Sequence, residues 1–213
     1  MANQTTIAVS MRVMTRAQCS ESRMAISFDW IHYLQHLGFD FLLIPCLPSA
    51  CKQSWTDSGI SGLLLTGGDD IVITDPKAAA KANPDDENLV RDIMEYRLIA
   101  QAIQHKLPIV GVCRGCQILN FHFGGVLTNN FRKSLNIDEP HVRAIHDVDL
   151  VDEQARHIVG ASTIAVNSYH NHGITVRDLA PSLVPFAVTR AGIVEGFFHK
   201  ELPIMGIQWH PER

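Results

Sequence analysis

The feature that most constrains this chain is a short apolar run ending in a cysteine hemmed by glycines: Leu107-Pro108-Ile109-Val110-Gly111-Val112-Cys113-Arg114-Gly115-Cys116-Gln117. A buried strand passes straight into a helix only through a tight junction, and Gly111 and Gly115 let the two backbones close up around it. The pattern predicts a strand, an elbow at Cys113 and a helix opening behind it. At such an elbow the helix N-terminus and a neighbouring imidazolium are expected to lower the thiol pKa and favour the thiolate.

The flanking sequence repeats the strand-then-helix theme. Ile7 to Met11 reads as a strand, Arg23 to Leu37 carries apolar residues at helical spacing before Gly38, and Phe41 to Ile44 starts a second strand. Gly62 to Leu65 is a further buried apolar run, and Glu87 to His105 is a long amphipathic segment leading into Ile109-Val110. Alternation of this kind predicts a parallel sheet covered by helices. Beyond Gly124-Gly125 the runs Ile145 to Leu150, Thr163 to Val166, Leu183 to Val188, Ile193 to Phe198 and Ile204 to Gln208 read as strands joined by turns, so part of the sheet is expected to be antiparallel. Asp75 to Asn88, polar and carrying Pro76 and Pro84, reads as an exposed loop, and no linker divides residues 1–213, which are expected to form one domain.

Composition removes several classes of function. A net charge of -4 provides no basic footprint for nucleic acid. No stretch reaches the roughly 20 apolar residues of a membrane helix, and Met1 to Thr6 lacks the start of a secretory signal, so a cytoplasmic location is expected. Five cysteines, an odd number, argue against a disulfide framework, and Cys19, Cys46 and Cys51 read as small packing residues.

Near the C-terminus, Gln208-Trp209-His210-Pro211-Glu212 follows an apolar run and offers a histidine with a carboxylate two residues on. With Cys113 these supply nucleophile, general base and orienting acid for attack on an amide. Cys113-Arg114-Gly115-Cys116 also has the C-x-x-C spacing of dithiol redox sites, but redox exchange has no use for a distant His-Pro-Glu or for the Gly-Gly turn at Thr66-Gly67-Gly68-Asp69-Asp70. His141, His146, His170 and His172 fall into no recognised ligand spacing, and no metal is expected.

Gly111-x-Cys113-x-Gly115-x-Gln117, Thr66-Gly67-Gly68-Asp69-Asp70 and His210-Pro211-Glu212, in this order, resemble the class I glutamine amidotransferases, more narrowly their γ-glutamyl hydrolase branch. The resemblance implies a flavodoxin-like three-layer α/β fold, a Cys113-His210-Glu212 triad, oxyanion donors at Gly68 and the amide of Arg114, and no cofactor. It further implies that Gln117 and the loop Asn167, Ser168, Tyr169, His170 grip the γ-glutamyl group, whereas Asp69 and Asp70 read as caps of a following segment. Phrases such as Asn167-Ser168-Tyr169-His170-Asn171 and Asp29-Trp30 are similar to γ-glutamyl-CDP-amidate hydrolases, and Arg12, Arg16 and Arg23 are candidates to meet a phosphate on the leaving group, with a solvated basic face as the plainer reading. The partner expected is a small-molecule γ-glutamyl substrate, and a homodimer is compatible with the sequence. The alternative is a glutaminase subunit that passes ammonia to a separate synthetase. The chain ends at Arg213, directly after His-Pro-Glu, where family members usually carry a further helical tail.

Overall fold

A computed structural model describes residues 5–16, 21–47, 59–84, 86–135 and 141–213; Cys19 and Cys51 lie outside these. The first half runs β1 (Thr6–Ser10), β2 (Arg12–Arg16), β3 (Glu21–Ala25), α1 (Phe28–His36), β4 (Asp40–Ile44), β5 (Ile60–Leu65), α2 (Pro76–Ala79), α3 (Val90–Gln104), β6 (Ile109–Val112) and α4 (Arg114–His122). The second half runs α5 (Phe131–Leu135), β7 (Val142–Leu150), α6 (Glu153–Val159), β8 (Thr163–Tyr169), β9 (Ile174–Thr175), β10 (Leu183–Val188), β11 (Ile193–His199) and β12 (Ile204–Ile207).

The main sheet has the order β4-β1-β5-β6-β12-β11-β10-β7-β8, with β9 pairing β11. From β4 to β12 neighbouring strands are parallel, and from β12 onward they are antiparallel. Taken in chain order, the parallel strands stand as 2-1-3-4-5, the flavodoxin-like winding. Alternate side chains point to opposite faces of a strand, and the core divides accordingly. Ala8, Leu63, Leu65 and Ile109 pack with Ile93 and Leu98 of α3 and with Ile118 and Leu119 of α4. Val9, Leu64, Val112 and Ile207 face the other way and pack with Trp30 and Leu34 of α1. Among the described residues no helix is long and apolar enough to cross a membrane.

Three expectations are corrected. The segment from Arg23 is not helical at its start: Glu21–Ala25 pairs with Arg12–Arg16 in an antiparallel hairpin, and the helix begins only after Ser27, whose backbone is extended. Met24 with Phe28 and Ile26 with Trp30 stand four residues apart and fit a helical period, but hairpin pairing with β2 overrides that local signal. Asp75 to Asn88 is not wholly loop, because Asp75 caps α2 by accepting a hydrogen bond from the Lys77 amide (2.9 Å). Among the described residues Asp69 and Asp70 cap no helix; both are exposed, and Asp70 Oδ2 lies 3.3 Å from His172 Nε2.

Candidate active site

Ligand sites of open parallel sheets lie beyond the carboxyl ends of the strands. Four chain segments meet there: Arg12 after β1, Gly67-Gly68 after β5, Cys113 after β6 and His210 after β12. Cys113 has φ 55° and ψ -106°, a conformation that a residue with a side chain adopts only under constraint. The constraint is backbone pairing on both sides, with the Cys113 amide donating to the Ile207 carbonyl (2.8 Å) and the Cys113 carbonyl accepting from the Gln117 amide (3.1 Å). The glycines permit the close approach. A Cβ on Gly111 would stand 2.3 Å from the Gly115 carbonyl oxygen, and one on Gly115 would stand 2.2 Å from that of Leu65.

His210 is 4% exposed, and its Nδ1 lies 2.7 Å from Glu212 Oε1, which leaves Nε2 as the basic nitrogen. A Cβ on Gly67 would touch both His210 Cε1 (2.9 Å) and Cys113 Cβ (3.5 Å), so histidine and cysteine flank one glycine. Cys113, His210, Gly68, Tyr169, Arg12, Arg143 and Arg213 line a single cleft. The Tyr169 ring stands edge-on to His210, with Arg213 4.5 Å over its face.

The thiol departs from expectation. Burial pushes the Cys113 pKa up to about 12, opposed by a hydrogen bond from the Arg114 amide and by Arg213, while Glu212 and Glu195 push it higher. The resting group is therefore a neutral thiol, not the thiolate that a helix N-terminus and an imidazolium were expected to favour. Cys116 is fully buried in the apolar core and its pKa is raised well above the usual thiol value by burial. A dithiol redox pair would need a lowered thiol pKa, and neither cysteine has one. Cys46 is a packing residue as expected, 2% exposed and donating its S–H to the Met11 carbonyl (3.0 Å).

The loop expected to grip substrate divides by strand alternation. Along β8, Val166, Ser168 and then His170 point inward, whereas Asn167 and Tyr169 face His210. Ser168 is fully buried and donates to the His141 carbonyl (2.7 Å), and His170 is buried beside Glu195, so neither reaches the cleft. Asn167 does not present its amide to a ligand: its Oδ1 accepts from the His210 amide (2.8 Å) and its Nδ2 donates to the His210 carbonyl (2.7 Å). It clamps the backbone of the candidate base. Of the arginines, Arg12 lines the cleft, whereas Arg23 pairs with Glu21 in solvent; Arg16 falls within β2, its side chain outside the described set.

Several site residues were not singled out from sequence. Gln208, fully buried, donates from Nε2 toward Cys113 Sγ (3.7 Å) and bridges it to Gln117, whose Nε2 lies 3.4 Å from Gln208 Oε1. Arg143, in the left-handed region at a register shift in β7, turns into the cleft. Beneath the elbow, Arg114 bridges Asp92 and Glu95 of α3, and Arg91 donates to Glu95 (3.0 Å) and to the carbonyls of Thr66 (2.8 Å) and Gly67 (3.1 Å). Burial alone would raise the Glu95 pKa, but Arg114 and Arg91 outweigh it and hold the carboxyl below its usual range. The signal in the sequence was Arg91, Asp92 and Glu95 on the inward side of an otherwise amphipathic helix.

A sequence profile of the peptidase C26 family matches residues 6–212. A Schizosaccharomyces pombe protein assigned by name to the glutamine amidotransferases is 35% identical over 164 residues, 72% of this chain and 62% of its own length, so the match spans less than two thirds of that relative. The γ-glutamyl-CDP-amidate hydrolase of Campylobacter jejuni is 26% identical over 208 residues, 97% of this chain and 90% of that enzyme. Among solved structures, a glutamine amidotransferase from Thermotoga maritima superimposes with a TM-score of 0.66 at 14% identity, over 99% of this chain and 77% of that one. That likeness carries the class I glutamine amidotransferase fold.

Proposed function

Because the chain belongs to the peptidase C26 family, we propose that it hydrolyses a γ-glutamyl amide through a glutamyl thioester on Cys113. One observation carries this reading: an elbow cysteine in a strained conformation shares a cleft with a histidine already aligned by a carboxylate at 2.7 Å.

The chemistry follows from the resting state. Since the thiol is neutral, activation must accompany substrate binding: His210 Nε2 takes the thiol proton as sulfur attacks the carbonyl carbon, and Glu212 steadies the imidazolium. Charge developing on the carbonyl oxygen falls to the amides of Gly68 and Arg114. The C–N bond breaks as the imidazolium protonates the departing nitrogen, and water, deprotonated by His210, then cleaves the thioester to release glutamate and the thiol. Gln117 and Tyr169 are the remaining candidates for holding the glutamyl group, and Asn167 acts by holding His210.

Arg12, Arg143 and Arg213 border the cleft with Cys113, which suits an anionic leaving group, because guanidinium forks pair well with phosphate oxygens. We assign the substrate to γ-glutamyl conjugates of this class, γ-glutamyl-CDP-amidate among them. The test is glutamate release by the protein and its Cys113→Ala variant from γ-glutamyl-CDP-amidate, γ-glutamyl-GABA, folate polyglutamates and glutamine. Cys113-dependent release is expected, fastest from the phosphate-bearing conjugate. Turnover of glutamine alone, and only with a synthetase present, would replace this reading with the ammonia-delivering one.

A further inference from the structure

Away from the cleft, strand pairing gathers residues from three parts of the chain around one carboxylate. His141 precedes β7, His146 lies on it, His170 follows β8 and Glu195 sits on β11. All four are 6% exposed or less, and His141 and Glu195 are completely buried. The Glu195 Oε1 atom has His170 Nε2 at 3.4 Å, His141 Nδ1 at 3.6 Å and His146 Nε2 at 3.6 Å. Ligand atoms of His141, His170 and Glu195 all lie within 4.8 Å of one another.

At 3.4–3.6 Å these contacts are longer than the 2.7–3.2 Å of ordinary hydrogen bonds. Among the described residues neither oxygen of Glu195, nor His170 Nε2, has a hydrogen-bond partner. An imidazole that donates to a carboxylate in this protein does so at 2.7 Å, as His210 does to Glu212, in the range expected of a charge-assisted bond. His170 is also oriented against such a role. Its Nδ1 lies 2.9 Å from the His172 carbonyl, which can only accept, so Nδ1 carries a proton and the Nε2 of that tautomer offers Glu195 a lone pair. A buried carboxylate without a donor is costly unless a cation lies beside it. In a tetrahedral zinc site with bonds of about 2.0–2.1 Å the ligand atoms are about 3.4 Å apart, and the histidine nitrogens stand 3.4–3.6 Å from Glu195 Oε1. Phe131, fully buried, packs on the rings of His141 (4.6 Å) and His170 (5.6 Å) and closes the group off from solvent, and the hydrogen bond between His170 Nδ1 and the His172 carbonyl is the kind that orients histidine ligands.

We propose that His141, His170 and Glu195 form a buried zinc site, beside which His146 stands 3.6 Å from Glu195. Bound there, Zn2+ ties the end of β8 to β7 and β11. The segment so fixed carries Asn167 and Tyr169, the two residues that hold His210, so the site is a positioning device for the catalytic histidine and takes no part in bond making.

The test uses metal-depleted full-length protein titrated with ZnCl2 and, separately, CoCl2. About one ion per chain should bind, Zn2+ should raise the melting temperature, and bound Co2+ should show the visible bands of tetrahedral nitrogen and oxygen ligation without a thiolate charge-transfer band. Binding should weaken at least about 100-fold in Glu195→Gln and persist in Cys113→Ala. The inference is overturned if no ion binds saturably, if Glu195→Gln binds as tightly as the parent, or if the Co2+ spectrum reports sulfur ligation. Should Glu195→Gln fail to fold, the Co2+ spectrum of the unsubstituted protein still decides the matter.

Discussion

Replacing Arg114 by methionine tests the claim that a buried ionic brace sets the elbow. The side chain is 2% exposed and holds Glu95 Oε2 and Asp92 Oδ1, on carboxylates that are themselves 3% exposed or less. Methionine keeps most of the volume and removes the charge. Arg91 still reaches Glu95 Oε1, and Asp92 Oδ2 keeps the amides of Val72 and Ile73, but the other two oxygens are stranded. Breaking a buried pair from one side costs about 3–5 kcal/mol, a large part of the roughly 5–15 kcal/mol that holds a domain folded. At about 2–4 °C per kcal/mol for a chain of this size, the melting temperature should fall by about 6–20 °C. The pH dependence supplies a second reading. The depressed Glu95 carboxyl contributes stability that is complete above its unfolded value of 4.5 and is lost as pH falls through the lower folded value. Arg114→Met removes its main stabilising partner, so the gap between parent and variant should be widest near neutral pH and narrow below about pH 4.5. Urea unfolding at pH 7 and pH 4 measures both quantities. A loss under about 1 kcal/mol, or a gap that does not narrow in acid, would refute the brace.

Asn167→Ala removes two hydrogen bonds to the His210 backbone, and at about 1 kcal/mol each the expected loss is about 10–100-fold in kcat with KM little changed, read from steady-state kinetics. Gly115→Ala forces a methyl against the Leu65 carbonyl and should cost about 3 kcal/mol or more in urea, whereas Gly124→Ala, with open space but φ 88°, should cost about 1 kcal/mol. Burial lowers the His122 pKa from 6.5 to about 4, so the folded state resists its protonation and stability falls as pH drops from 6.5 toward 4. The drop in unfolding free energy between pH 7 and pH 4.5 should be about 2 kcal/mol smaller in His122→Gln.

How much of this was legible in the sequence depended on range. The elbow at Cys113 and the strand before His210 are local patterns, written in apolar runs and glycines, and they appear where the sequence puts them. The 3.6-residue period misled at Arg23, where a strand partner nine residues upstream, Met14, decides the conformation. The loop Asn167 to His170 could be recognised as rich in polar groups, but which way each side chain points is fixed by alternation on β8 and by pairing with β7, and that reverses the expected roles of Ser168 and His170. The thiol pKa could not be judged from neighbours in sequence either, because burial, which dominates it, is a property of the whole fold. Glu195 and its histidines were invisible for the same reason: no ligand spacing links residues drawn from separate strands.

The central claim is a covalent intermediate on Cys113. Acid-quenching the protein during turnover of a γ-glutamyl conjugate and mapping the adduct by peptide mass spectrometry tests it directly. The account predicts a glutamyl group on the peptide at Cys113, still formed in Cys116→Ala and absent in Cys113→Ala; an adduct that maps to Cys116, or turnover that persists without Cys113, would contradict it.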